Sequence, residues 1–127
     1  MSADLHHVAV VPVSAVDSAT TEALRYAATL APNVLAIHIR EPDDPDALEA
    51  VWVQAEASSP LVVMDAPDGD YARAFGRALD VLVRSEQRCQ IAVVVPFGHQ
   101  RMDWRDACRF PSAVIFTRTA AGWEGRS

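Results

Sequence analysis

The chain has 127 residues, half of them hydrophobic, with a formal net charge of −6 and a pI near 5.0. That length and apolar content fit one folded domain over 1–127, with a core of about 6–118 and a tail over 119–127, and exclude a disordered chain. The acidic balance argues against nucleic acid as a partner, and no apolar run approaches the ~20 residues that span a bilayer.

The amino terminus, MSADLHHVAV, has an acidic residue and no basic flank before its apolar run. It does not read as a secretory signal, so a cytoplasmic location is expected. Lysine is absent, and all eleven basic residues are arginine. This excludes Schiff-base chemistry, a Walker lysine and a lysine general base, and leaves arginine forks for phosphate or carboxylate. Cys89 and Cys108 form no C-x-x-C pair and read as free thiols.

The first element, His7 to Val13 (HVAVVPV), is almost continuously apolar and β-branched, as a strand buried on both faces would be. Ser14 to Ser18 supply turn and cap residues. Ala19 to Ala31 predicts a helix with Leu24, Ala27, Ala28 and Ala31 on its inner face, closed by Asn33 in the left-handed conformation. Val34 to Ile39 (VLAIHI) is a second buried strand.

Asp44-Pro45 opens a second helix, whose inner stripe is Leu48, Val51, Trp52 and Ala55. Ser58, Ser59 and Pro60 end it, and Leu61 to Met64 form a short third strand. A long helix runs from Asp70 to about Arg88. Tyr71, Phe75, Ala78, Leu79 and Leu82 face inward, and Arg73, Arg77, Arg84 and Arg88 face solvent. Ile91 to Pro96 (IAVVVP) is the fourth strand. Phe97 to Arg109 reads as irregular or a short, reduced fourth helix, Ala113 to Thr117 (AVIFT) as a fifth strand, and Ala120 to Ser127 as a tail.

Repeated strand-helix-strand units predict a three-layer α/β/α domain around a five-stranded parallel sheet with right-handed crossovers. The pattern alone fits a 2-1-3-4-5 and a 3-2-1-4-5 strand order equally.

The runs HHVAVVPVSAV, EALRYAATLAPNVLAIHI, PLVVMDAPDGDYARAFGRALDVL and IAVVVPFG, in that order and spacing, carry a resemblance. From about Val8 to Phe97 the chain resembles the universal-stress-protein-like domain at the cytosolic carboxyl terminus of certain bacterial APC-superfamily permeases. The resemblance implies the 3-2-1-4-5 order, a Rossmann-like sheet and a non-catalytic regulatory role beside a transporter. It also implies adenine nucleotide or cyclic di-AMP as ligands to test. The chain departs from the ATP-binding members of the wider family after the fourth strand. Where those members have Gly-x-x-Gly, it has Gly98, His99, Gln100 and Arg101.

In an open parallel sheet the ligand crevice lies beyond the strand carboxyl ends, where the strand order reverses. In the 3-2-1-4-5 order, Val13, Ser14 and Ala15 flank it on one side and Pro96, Gly98, His99, Gln100 and Arg101 on the other. His38 and Ile39 lie beside it. The helix starting near Ser18 directs N–H groups at the same place, which suits a small anion. Arg101, Arg105 and Arg109 would share one helical face, fit for phosphate or for pairing with Asp103 and Asp106.

Asp65, Asp68 and Asp70 form an acidic cluster better explained as helix caps than as a metal or catalytic site. Trp52 fits the core, and Trp104 and Trp123, exposed together, would make a partner patch. No G-x-S-x-G, H-E-x-x-H or P-loop is present.

Three functional classes follow. The first is a non-enzymatic sensor of a small anionic ligand, linked to a permease. The second is an interaction module without a ligand, most simply a homodimer through the edge strand Ala113–Thr117. The third, a small hydrolase, lacks an acid–base pair at sound spacing.

Overall fold

The structure is a computed structural model, and it describes residues 6–14, 16–40, 47–54, 59–85, 89–97, 113–119 and 122–126. In chain order it contains β1 (His6–Pro12), α1 (Ser18–Leu30), β2 (Asn33–Arg40), α2 (Ala47–Gln54), β3 (Leu61–Asp65), α3 (Tyr71–Ser85), β4 (Cys89–Val95), β5 (Ala113–Thr119) and β6 (Gly122–Arg126). The sheet has six strands in the order β3-β2-β1-β4-β5-β6. The first five positions are parallel, as expected, and β6 adds an antiparallel sixth strand to β5.

The apolar runs form strands because they are buried on both faces. In β1, Val8 and Val10 enter a core on the α3 side, together with Ile37, Ile39, Ile91, Val93, Phe75 and Leu79. Ala9 and Val11 alternate to the other face, where they pack with Ala23 and Ala27 of α1 and Leu48 and Trp52 of α2. Side chains alternate along a strand, so a strand sandwiched between helices needs apolar residues at every position. Helices thus lie on both faces, α1 and α2 on one and α3 on the other.

Each helix has a physical start. Asp17 is the N-cap of α1, its carboxylate accepting a hydrogen bond from Thr20 N–H at 2.8 Å. Asp70 does the same for α3, accepting from Arg73 N–H at 3.1 Å. On α3 the predicted inner face holds, since Tyr71, Phe75, Ala78 and Leu79 are buried while Arg73 and Arg77 are exposed.

Four expectations are corrected. First, α1 ends in Ala31, which is extended (φ −150°, ψ 149°), and not in a left-handed Asn33, which instead opens β2. Second, the inner faces of the first two helices shift. In α1, Ala23 and Ala27 are buried against the sheet while Ala28 is exposed, and Val51 of α2 is exposed while Leu48 and Trp52 are buried.

Third, the segment read as a tail forms β6, and β5 runs on to Thr119. Fourth, β5 is therefore not the sheet edge. Its outer hydrogen bonds go to β6, from Ile115↔Arg126 to Thr119↔Gly122, so the Ile115–Thr117 part of Ala113–Thr117 is not open to a second copy of the chain. The expected reduced helix after β4, Asp44-Pro45, Ala55 and Trp104 lie outside the described residues, and so do the side chains of Leu82 and Arg84.

β6 is fixed by its contacts with α1 and β5. Trp123 stacks on Tyr26 with ring centroids 4.8 Å apart and planes 5° from parallel. Tyr26 in turn meets Phe116 edge-on at 5.9 Å. Gly125 passes directly over Phe116, where a Cβ would stand 2.7 Å from the ring. Arg118 Nε reaches Glu22 Oε1 at 2.9 Å. That pair is half-exposed and worth little on its own.

Candidate functional site

The strand order places β1 beside β4, with Val8↔Ile91, Ala9↔Ala92 and Val10↔Val93 in register. The chain leaves β1 toward β2 on one side and leaves β4 toward β5 on the other. This divergence is the condition for a crevice beyond the strand carboxyl ends. Val13 and Ser14 stand on one lip and Pro96 and Phe97 on the other.

The predicted site residues take distinct roles. Val13 (1% exposed) and Ile39 (1%) are core residues, packed in the α1/α2 and α3 cores respectively, and Pro96 is also buried. At the crevice, Val13 and Pro96 can offer backbone groups only. Ser14 is exposed at the lip, and it is already engaged in an interaction within the chain. Ala15, Gly98, His99, Gln100 and Arg101 lie outside the described residues, with Arg105 and Arg109.

His38 lies beneath the first lip. It is buried, and its Nδ1 stands 3.0 Å from the carbonyl oxygen of Val13. The β1–β2 ladder runs to Pro12↔Ile37, and Val13 N–H extends it by donating to Ile37 O at 2.9 Å. The imidazole thus bridges the two strands one step beyond the regular ladder.

Two features at the lips were not singled out in the sequence. Phe97 follows the last residues of β4 and is 74% exposed, the most exposed of the large hydrophobic side chains described. Its position directly after the strand-ending Pro96 was the available signal. The second is Asp17. Its carboxylate occupies the amino end of α1, where a free anion was expected to sit. It uses the Thr20 N–H and brings a negative charge to the positive helix end, so it competes with an incoming anion.

The acidic cluster resolves into structural bonds. Asp65 pairs with Arg40 Nε at 2.8 Å across the ends of β3 and β2. Asp68 accepts from Asp70 N–H at 3.1 Å, and Asp70 caps α3. Trp52 is a core residue whose indole N–H donates to Ser59 O at 2.9 Å. Trp123 packs on Tyr26.

A cavity of about 210 Å³ opens at the opposite, amino-terminal end of the sheet, between Leu30 and Ala31 of α1 and Ala92, Val114 and Phe116 of the strands, with His7 at its rim. Its walls are mostly apolar, and His7 is the one polar side chain among the lining residues, short of the convergent polar groups that fix a ligand's orientation. The carboxyl ends of β1 and β4 are therefore the better candidate site.

The fold is that of a doubly wound, mostly parallel α/β domain whose strand order reverses between β1 and β4. Residues 5–110 match the family described as the KimA potassium transporter C-terminal domain. The chain belongs to that family. No curated protein matches the chain. Among the described residues no helix is long and apolar enough to cross a membrane.

Proposed function

We propose that the chain is a non-catalytic, cytoplasmic regulatory domain of a potassium transporter. In this reading it binds a small anionic ligand, an adenine nucleotide or cyclic di-AMP, in the crevice between β1 and β4. The observation that carries it is the adjacency of β1 and β4 with chain exits in opposite directions, in a member of a transporter carboxyl-terminal family. The universal-stress-protein-like resemblance of the strand-end residues points to the same ligand class.

The mechanism is a population shift. A ligand that touches the loops leaving β1 and β4 favours one arrangement of them, and that difference is what a transporter can read. The Phe97 ring is the exposed apolar group at the lips, and Val13 and Pro96 hold the two lips on either side of it, with Ser14 leaving the first. Gly98, His99, Gln100 and Arg101 follow directly in sequence and complete the proposed site. Ala15, next after Ser14 in sequence, is counted with the proposed site, and Ile39 belongs to the core beside it.

Calorimetry and thermal shift with ATP, AMP and cyclic di-AMP test this. Saturable binding with a raised unfolding temperature supports it, and no response at millimolar ligand rejects it.

A further inference from the structure

We infer that the outer edge of β3 (Leu61–Asp65) is a docking strand for a second copy of this chain, the two copies pairing antiparallel into one continuous sheet.

β3 stands at the end of the sheet, and among the described residues it pairs with β2 alone. In a strand, the N–H and C=O of one residue point to the same side, and the side alternates from residue to residue. The carbonyl of Pro60 accepts from Ala36 N–H at 3.0 Å, and Ala66 N–H donates to Arg40 O at 2.8 Å. Those even-numbered positions face β2, and so do Val62 and Met64 between them. Leu61, Val63 and Asp65 therefore turn their N–H and C=O groups outward, as a row that only another strand can pair in full.

The two edges of the sheet differ. β6 carries Glu124 and Arg126, charges of the kind that keep a solvated edge from pairing. β3 has no charge from Leu61 to Met64, and the carboxylate of Asp65 is tied to Arg40 at 2.8 Å. Its apolar side chains are only partly covered, and Val62 is 38% exposed. Val51 is 42% exposed on α2, the helix tied to the approach of β3 by the bond from Trp52 to Ser59.

The strand is complementary to itself. In an antiparallel pair centred on Val63, that residue faces its own counterpart and Leu61 faces Asp65. These are the positions whose backbone groups point outward, so each pair exchanges both of its hydrogen bonds. Val62 then faces Met64 on the α3 side of the sheet, where Met64 packs against the core. The exposed Val62 of each copy thus covers the half-buried Met64 of the other. No carboxylate meets a carboxylate in this register. One two-fold rotation satisfies both edges at once and closes the assembly as a dimer.

Sedimentation velocity on the full chain tests this. It should show a monomer–dimer equilibrium with a dissociation constant of about 10 μM to 1 mM, the range of a small interface. Hydrogen exchange at Leu61, Val63 and Asp65 should be fast in the dilute monomer and slow in the dimer, while Val62 and Met64 stay slow in both. Val63→Pro removes one outward N–H and no bond to β2, a place where an edge strand accepts proline. That variant should stay monomeric with an unchanged circular dichroism spectrum. Val62→Lys keeps the whole backbone and puts a charge opposite Met64, so it decides the matter if the proline variant does not fold. Its dimer should be weaker by at least about tenfold.

A chain that stays monomeric up to about 1 mM overturns the inference. So does a dimer that either folded variant leaves intact, or one in which the Val63 amide still exchanges fast. β3 lies two strands away from β1, so the ligand titrations of the crevice do not bear on this result.

Discussion

The imidazole of His38 holds the backbone carbonyl that follows the first strand, with Nδ1 3.0 Å from Val13 O. Val13 is thereby tied to β2 through both of its backbone polar groups, since its N–H already donates to Ile37 O. A side chain takes over where the ladder stops, and it fixes the lip from which Ser14 departs.

Replacing His38 by leucine leaves the Val13 carbonyl without the ring donor. The expected cost is about 1–3 kcal/mol of unfolding free energy, because a buried group loses its partner. Urea denaturation of the variant measures it. An unchanged midpoint would mean that the bond does not hold the lip.

The α3 side of the core centres on Phe75, which is wholly buried. Phe75→Ala should cost about 3–5 kcal/mol through lost burial and the cavity left behind. Loss of the cooperative thermal transition, or a large drop in its midpoint, is the expected result. A shift of only a degree or two would contradict the packing described.

Asp17 separates capping from charge. Asp17→Asn keeps a competent cap and removes the negative charge from the amino end of α1. Stability should change little, while ATP affinity rises about two- to fivefold, the scale of a charge at a helix terminus. Calorimetry at low salt reads both halves of this prediction. Weaker ATP binding in the variant would show that Asp17 is not a competitor of the ligand.

The sixth strand depends on a glycine that no local rule demands. In Gly125→Ala the added methyl would meet Phe116, whose ring is already held by Tyr26. A destabilisation of about 1–3 kcal/mol is expected from overpacking. Separately, Trp123→Ala should lose about 0.5–1.5 kcal/mol from the ring stack with Tyr26, beyond lost burial. Thermal melts of the two variants check both values. If neither variant differs from the parent chain, β6 is not docked as described.

The parallel sheet was legible because its central strands have no solvent face. HVAVVPV and IAVVVP can be satisfied only between two layers, as the split of Val8 and Val10 from Ala9 and Val11 shows. β6 was not legible. GWEGR holds two glycines and two charges in five residues, and nothing in its own propensity marks a strand. It forms through antiparallel pairing with β5, where Gly125 lies over Phe116, and through Tyr26, far away in the chain, which a local reading does not join to it.

Asn33 misled for a related reason. Its tolerance of the left-handed conformation fits a helix end, but β2 pairing with Val8 claims it for a strand. At the site, residue order placed His38 near the crevice. Only the structure shows that Val13 and Ile39 turn into the core, and that His38 spends one nitrogen on the backbone.

The most direct test of the account is an amide NMR titration of the full chain with ATP and cyclic di-AMP. The account predicts saturable shifts at Val13, Ser14, His38, Val95 and Phe97, on the loops and strand ends around the crevice. Shifts confined to His7, Leu30 and Phe116 at the opposite end of the sheet, or none at millimolar ligand, would contradict it.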